Sequence, residues 1–344
     1  MGTQQKSYIG ALTATRAIAA VMVFVHHNGY DIFPFKYGHT IFHSGNVAVS
    51  YFFVLSGFVL YLAHINKPLQ YAYYIKKRIA RIAPLYFIGL FLTVYLVSRT
   101  PPWPADIKQQ IIYCSLFIQA FIPGYTTCLN FPAWSISVEM FFYVIFPALL
   151  FFLRRRIKWF TLLFAALFIL SHVIHLKFFP QRYGLSDSIV DPIFFNPLIH
   201  ISQFMIGMLG GFLYKKIEYK PMKVGYVPVM VFVIILFLIA YRPDNVSYHV
   251  GLLAPLFMVL IIAIAKSKSR ILNFPFFIFL GEISYGFYIL QHPVYTLLDM
   301  VCKKFGNMPS DLFFYFSLVV LFAIAAILYL VVERPLMRWI TKRG

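Results

Sequence analysis

Long apolar runs, broken by charged clusters or by Pro and Gly, recur along the whole chain. Such runs predict membrane-crossing helices, because a helix needs about 20 apolar residues to cross the hydrocarbon core. Ten fall near residues 8 to 28, 44 to 64, 82 to 98, 133 to 153, 159 to 176, 196 to 214, 225 to 241, 249 to 265, 275 to 298 and 311 to 332. An eleventh, residues 109 to 121, covers only about 20 Å at about 1.5 Å per residue, short of the roughly 30 Å core. The pattern predicts an all-α, polytopic membrane protein of about ten transmembrane helices in one bundle, with one short outer-side or re-entrant helix. No sequence repeat, low-complexity tract or linker interrupts it, so residues 1–344 read as a single integral-membrane domain.

Composition and charge sharpen the picture. Hydrophobic residues make up 61% of the chain and charged residues only 12%, which excludes a water-soluble globule, where about a quarter of residues are charged. A net charge of +19 would suggest nucleic acid in a soluble protein. In a membrane protein it reports orientation instead. With residues 109 to 121 kept on one side, 21 basic residues share a face with both termini and eight lie opposite; if that run crosses, the split weakens to 18 against 11. The positive-inside rule therefore favours a multi-pass cell (inner) membrane protein with both termini cytoplasmic. The first apolar run contains Arg16 and continues into His26-His27-Asn28-Gly29 without a small-residue cleavage site, so it reads as a span rather than a signal peptide. Three cysteines, Cys114, Cys128 and Cys302, allow at most one bridge and lack metal-ligand spacing. His172 and His175, at i and i+3, have no carboxylate or cysteine to complete a ligand set, so no metal is expected.

Ionisable groups inside apolar helices are the candidate chemistry, because each is costly unless it faces a partner or a cavity. Arg16 and His27 stand eleven residues apart, which brings them within about 20° of one helix face and about 16 Å apart along it; His26 points about 100° away from His27. In the fourth span, Glu139 follows Trp134-Ser135-Ile136-Ser137. It is expected to approach His27 from a neighbouring helix and to fix its tautomer, as the third member of a catalytic triad does. Arg78 and Arg81 share a face at the start of the third span, and two guanidinium forks on one face suit phosphate. Ser137, Ser284, Tyr285 and His292 are candidate oxyanion or substrate contacts. Ser56-Gly57, in the second span, would permit close approach of a helix or ligand, and Gly207-x-x-x-Gly211 reads as a helix-packing motif.

The order Arg16-(ten residues)-His27, Phe52-Phe53-Val54-Leu55-Ser56-Gly57-Phe58, Arg78-x-x-Arg81-Ile82-x-Pro84-x-Tyr86, Trp134-Ser135-x-Ser137-x-Glu139-x-x-Phe142-Tyr143, Ser284-Tyr285-x-x-Tyr288 and Glu333-Arg334-Pro335 resembles the acyltransferase type-3 family of bacterial integral-membrane enzymes that modify surface glycans. The start of the chain looks most like the exopolysaccharide acetyltransferase branch. The resemblance implies a membrane-embedded O-acyltransferase with no permanently bound cofactor, taking acetyl-CoA or another acyl-CoA as co-substrate from the cytoplasm. The acceptor would be a hydroxyl of a glycan or glycolipid. It implies His27 as the essential histidine, acting as general base or transient acyl carrier, with Arg16, Arg78, Arg81 and Glu139 as site residues. Partners would be the donor, the acceptor and membrane lipid, with no nucleic acid. Two departures stand out. The ninth span reads Gln291-His292 where relatives commonly have a Leu-His ending, and no esterase-like domain is fused, so a lone transferase module is expected. A transporter or flippase for a glycan or lipid-linked sugar is the alternative, since buried Arg, Glu and His also mark transport pathways, but no inverted repeat supports it.

Overall fold

The structure, a computed structural model, describes residues 2–66, 68–179, 186–217, 225–243, 246–267, 269–306 and 308–342. Of the basic residues counted for orientation, Lys67, Arg182, Lys220, Lys223, Lys268 and Arg343 lie outside these. Among the described residues there are helices and no strands. They are α1 (Gly2–Asn28), α2 (His39–His43), α3 (Val47–His64), α4 (Tyr71–Ser98), α5 (Ile107–Ser115), α6 (Trp134–Arg155), α7 (Ile157–Phe178), α8 (Asp187–Phe194), α9 (Pro197–Ile217), α10 (Val227–Ala240), α11 (Ala254–Lys266), α12 (Pro275–Phe305), α13 (Ser310–Leu328) and α14 (Arg334–Lys342). A π-helical turn, Tyr329–Glu333, joins the last two.

Seven segments among the described residues are long and apolar enough to cross a membrane: Gly10–Asn28, Val47–His64, Tyr71–Ser98, Phe131–Arg155, Ile157–Phe178, Ile189–Ile217 and Ser310–Ile340. The all-α membrane architecture is therefore as expected, but the count of about ten is not reached on this criterion. α10 and α11 have only 14 and 13 residues. α12 has 31 residues but carries Glu282, Ser284, Tyr285, Gln291 and His292, and it is not among the seven. The periphery fits a lipid environment. Trp159, Leu162, Ile169 and Val173 on α7, and Val229, Val233 and Phe237 on α10, are all exposed. Apolar surface of this extent does not face water in a soluble monomer.

Two backbone crossings place the site. A Cβ at Gly57 on α3 would overlap the Phe204 carbonyl oxygen of α9, and one at Gly207 would overlap that of Val54. The packing motif read at Gly207 thus meets the Gly57 of α3. Likewise a Cβ at Gly281 on α12 would overlap the Thr13 carbonyl of α1, so α1 and α12 cross in backbone contact beside Arg16. Close approach of this kind needs small residues. Gly207→Ala is expected to lower stability by about 1–3 kcal/mol, the usual cost of overpacking a well-filled contact. Thermal denaturation followed by size-exclusion fluorescence in detergent measures it, and an unchanged midpoint would contradict the crossing.

The short run at 109 to 121 does not form one helix. α5 ends at Ser115, Phe117 adopts a positive φ of 58°, and a single 3-10 turn follows at Gln119–Phe121. Its nine residues reach about 14 Å, too short to cross. The segment lies over one end of the bundle. Buried Gln119 donates to the Tyr86 hydroxyl and the Ala133 carbonyl, both at 3.1 Å. Tyr86 donates to the Cys114 carbonyl at 2.7 Å, and Asn130 donates to the Ile289 carbonyl of α12 at 2.8 Å. Cys114 of α5 meets Cys128 of the connection that follows the segment, with their Sγ atoms 2.9 Å apart.

Candidate functional site

A cavity of about 320 Å³ opens between α1, α3, α4, α6 and α12, with the π-helical turn and α14 closing one end. Arg16, Arg78, Arg81, Glu139, Ser284 and Tyr285 all line it. Six polar residues singled out from four different stretches of sequence therefore converge on one space.

The local reason is helical phase. α4 begins at Tyr71, well before the apolar run that predicts it, so Arg78 and Arg81 sit inside the helix and point to its cavity face. The Arg78 guanidinium lies 5.9 Å from the Tyr74 ring and 5.8 Å from the Tyr143 ring, and its buried Nε has no hydrogen-bond partner among the described residues. Arg16 lies within electrostatic reach of Arg81, Glu139 and Glu333. Ser56 donates to Glu139 Oε1 at 3.4 Å, and Tyr143, one turn along α6, donates to the same oxygen. The cavity lining thus holds three guanidinium groups and three carboxylates, exposed Glu282 and the buried or half-buried Glu333 and Glu139, where an unbalanced charge would be expensive.

Glu333 is the residue the site reading lacked. It is 2% exposed, and its Oε2 has no hydrogen-bond partner among the described residues. The wider π turn in which it sits, a feature frequent at functional positions, turns its side chain into the cavity beside Tyr329, which donates to Glu282 Oε2 at 2.8 Å. Only the Glu333-Arg334-Pro335 signature hinted at it. Tyr288 and Ser135 complete the far end, their hydroxyl oxygens 2.8 Å apart.

Four expectations need correction. Ser137 lies outside the cavity: its hydroxyl donates to the Phe117 carbonyl at 2.6 Å and accepts from the Ala120 amide at 3.4 Å. Two residues along a helix turn a side chain by about 200°, so Ser137 and Glu139 cannot share a face, whereas Ser135 and Glu139, four apart, do. Ser284 and Tyr285 reach the cavity, but each hydroxyl hydrogen is committed, to the Gly281 carbonyl and the Ile82 carbonyl respectively, both at 2.7 Å. Both line the cavity with their hydroxyl hydrogens engaged in these bonds. His292 is exposed and is not among the residues that line the cavity.

The fourth correction concerns His27. It does not meet Glu139. Its Nδ1 lies 3.4 Å from Gln291 Oε1, and its ring stands edge-on to Phe131 with centroids 5.3 Å apart. Glu139 enters α6 eight residues after Phe131 and is carried deeper into the bundle, where Ser56 and Tyr143 hold it. Gln291 was legible in one respect: with Ser284 and Tyr288 it falls on a single stripe of α12, at offsets of about 40° and 20° from Ser284, while His292 turns about 80° away. His26 faces His27 at 5.1 Å and His43 of α2 at 6.0 Å between ring centroids, which matches its predicted turn away from the Arg16 stripe. Among the described residues no group of three or more His, Cys, Asp or Glu side chains could hold a metal.

A helical membrane bundle with a charged interior cavity, whose lining stops at Tyr288 and includes neither Gln291 nor His27, is the class these features define. The chain belongs to the type-3 acyltransferase family: the family's sequence profile, described as an acyltransferase domain, matches residues 9–331. It is accordingly an enzyme, an acyltransferase. Curated relatives include the acyltransferase MdmB of Streptomyces mycarofaciens, 25% identical over 97% of this chain and 92% of that protein. The exopolysaccharide production protein ExoZ of Rhizobium meliloti is 26% identical over 88% of this chain and 92% of its own length. The O-acetyltransferase OatA of Staphylococcus aureus is 22% identical over 96% of this chain, which spans 57% of it. No solved structure matches the chain significantly.

Proposed function

We propose that this protein is a single-domain, inner-membrane O-acyltransferase, with both termini cytoplasmic, that moves an acyl group, acetyl in the first instance, from cytoplasmic acyl-CoA to a hydroxyl of a surface or exported glycan. The observation that carries the reading is the shared cavity of Arg16, Arg78 and Arg81, whose far end at Tyr288 lies one helical turn from the Gln291–His27 pair. Relatives named as an O-acetyltransferase and as an exopolysaccharide production protein support the ester product and the glycan acceptor.

In this reading Arg78 and Arg81 hold the donor phosphates, since planar guanidinium forks bind them bidentately. Arg16 steadies the donor within the cavity, and the pantetheine arm carries the thioester toward His27. The His27 imidazole takes the proton of the acceptor hydroxyl as its oxygen attacks the thioester carbonyl. The carbon–sulfur bond breaks, the ester forms, and the thiolate leaves with that proton as free CoA thiol. Holding both reactants in a water-poor cavity supplies much of the rate. Glu139, fixed by Ser56 and Tyr143, balances the arginines that a phosphate-bearing donor would otherwise have to neutralise alone.

Arg78→Lys and Arg81→Lys keep the charge and lose the fork. Each is expected to weaken acyl-CoA binding about tenfold, the worth of one charge-assisted hydrogen bond, with normal insertion into the membrane. Equilibrium binding of labelled acetyl-CoA to the purified variants measures this. Wild-type affinity in both would reduce the two arginines to membrane anchoring.

A further inference from the structure

The side chain within hydrogen-bonding distance of the His27 imidazole is an uncharged amide. Gln291 is 1% exposed, and its Nε2 donates to the Tyr288 carbonyl at 2.9 Å. A backbone carbonyl only accepts, so that bond settles which end of the amide is which. Oε1 is left facing His27 Nδ1 at 3.4 Å. Because a carbonyl oxygen cannot donate, Nδ1 must carry the hydrogen, and the lone pair sits on Nε2.

We propose that Gln291 is a positioning residue that holds His27 in its Nδ1–H tautomer and so presents Nε2 as the base toward the acceptor hydroxyl. This rests on the proposed role of His27 and adds what fixes it. The arrangement replaces the carboxylate that was expected to orient the histidine. A carboxylate would hold the tautomer and also favour the imidazolium; an amide holds the tautomer without that charge. The pairing therefore fixes the tautomer with no anion against Nδ1, and the proton taken at Nε2 is passed on to the leaving thiolate.

The other titratable groups around the ring reinforce this. On α1, the His26 ring lies tilted beside it at 5.1 Å, with His43 of α2 behind. On α12, His292 acts on it electrostatically. The connection before α6 contributes the apolar edge of Phe131. None of these is an anion, and the closest carboxylate on α6, Glu139, is bonded to Ser56 and Tyr143.

Two variants in the full-length protein, reconstituted in nanodiscs, test the assignment. Gln291→Glu keeps an acceptor against Nδ1 and adds the missing charge. It is expected to move the pH at which His27 loses its proton upward by about one unit or more, the effect of an opposite charge in contact. The rate of carbethoxylation of His27 by diethyl pyrocarbonate, followed peptide by peptide in mass spectra across pH, reads this without any acyl transfer. The acidic limb of the pH–rate profile, where a general base must lose its proton, should move with it. Gln291→Leu removes the acceptor and is expected to lower kcat on the order of tenfold to a hundredfold, with KM for acetyl-CoA unchanged because the arginine cavity is intact. Gln291→Glu should recover much of that kcat at high pH. The proposal is overturned if the carbethoxylation midpoint of Gln291→Glu equals that of wild type, or if Gln291→Leu turns over at the wild-type rate. A shifted midpoint together with full activity of a His27→Ala variant would instead uphold the pairing and remove the catalytic role of His27.

Discussion

His27→Ala is expected to reduce acyl transfer by about 100 to 10,000-fold, the loss that follows removal of a general base, while His26→Ala retains most of its activity. The two histidines are neighbours in sequence and their rings are 5.1 Å apart, so proximity alone does not separate them. What separates them is direction. His27 lies on the Arg16 stripe of α1 and is pinned by Gln291 of α12, whereas His26 turns to His43 of α2. Both variants must reach the membrane at wild-type abundance, because a folding defect would mimic the loss. Release of free CoA from acetyl-CoA in the presence of acceptor, measured on purified protein, gives the rates. A normally abundant His27→Ala protein that turns over like wild type would remove His27 from the chemistry.

Arg16→Met is expected to lose transfer by about a hundredfold or more, since misplacing a bound reactant by an ångström costs that much. Arg16 is the one guanidinium of the cavity that comes from α1, and it shares the space with Arg81, Glu139 and Glu333. Removing it leaves two carboxylates facing an interior with one fewer cation, so donor phosphates meet a less positive cavity. Arg16→Lys should fall between, keeping the charge but losing the fork. Glu139→Gln distinguishes charge balance from donor contact. If Arg16 acts on the donor, Arg16→Met raises KM or lowers kcat whether or not Glu139 is neutralised. If Arg16 only balances Glu139, the double variant should regain most of the rate.

The helical framework was legible because apolar runs of this length have few other fates, and the expected boundaries of α6, α10, α12 and α13 differ from the observed ones by at most a few residues at their starts. The start of α4 was not, since Tyr71 to Arg81 is too polar to register as a span although the helix continues through it. Convergence of Arg16, Arg78, Arg81 and Glu139 was legible from the cost of burying charge. Their pairing was not. Periodicity within one helix gives direction but not depth relative to another helix, and it was depth that put Glu139 beside Ser56 and Tyr143 instead of beside His27. Periodicity alone separates Ser137 from Glu139, since two residues turn a helical side chain by about 200°. Glu333 escaped because a π turn breaks the 3.6-residue phase on which such arguments rest.

Sealed, inside-out membrane vesicles carrying the protein, supplied with acetyl-CoA labelled in its acetyl group, test the central claim most directly. The account predicts ester-linked label on envelope glycan, released by mild base, that appears only when donor is offered at the cytoplasmic face and is absent with His27→Ala. Label that reaches the glycan equally well from His27→Ala vesicles, or only when donor is offered at the opposite face, would contradict it.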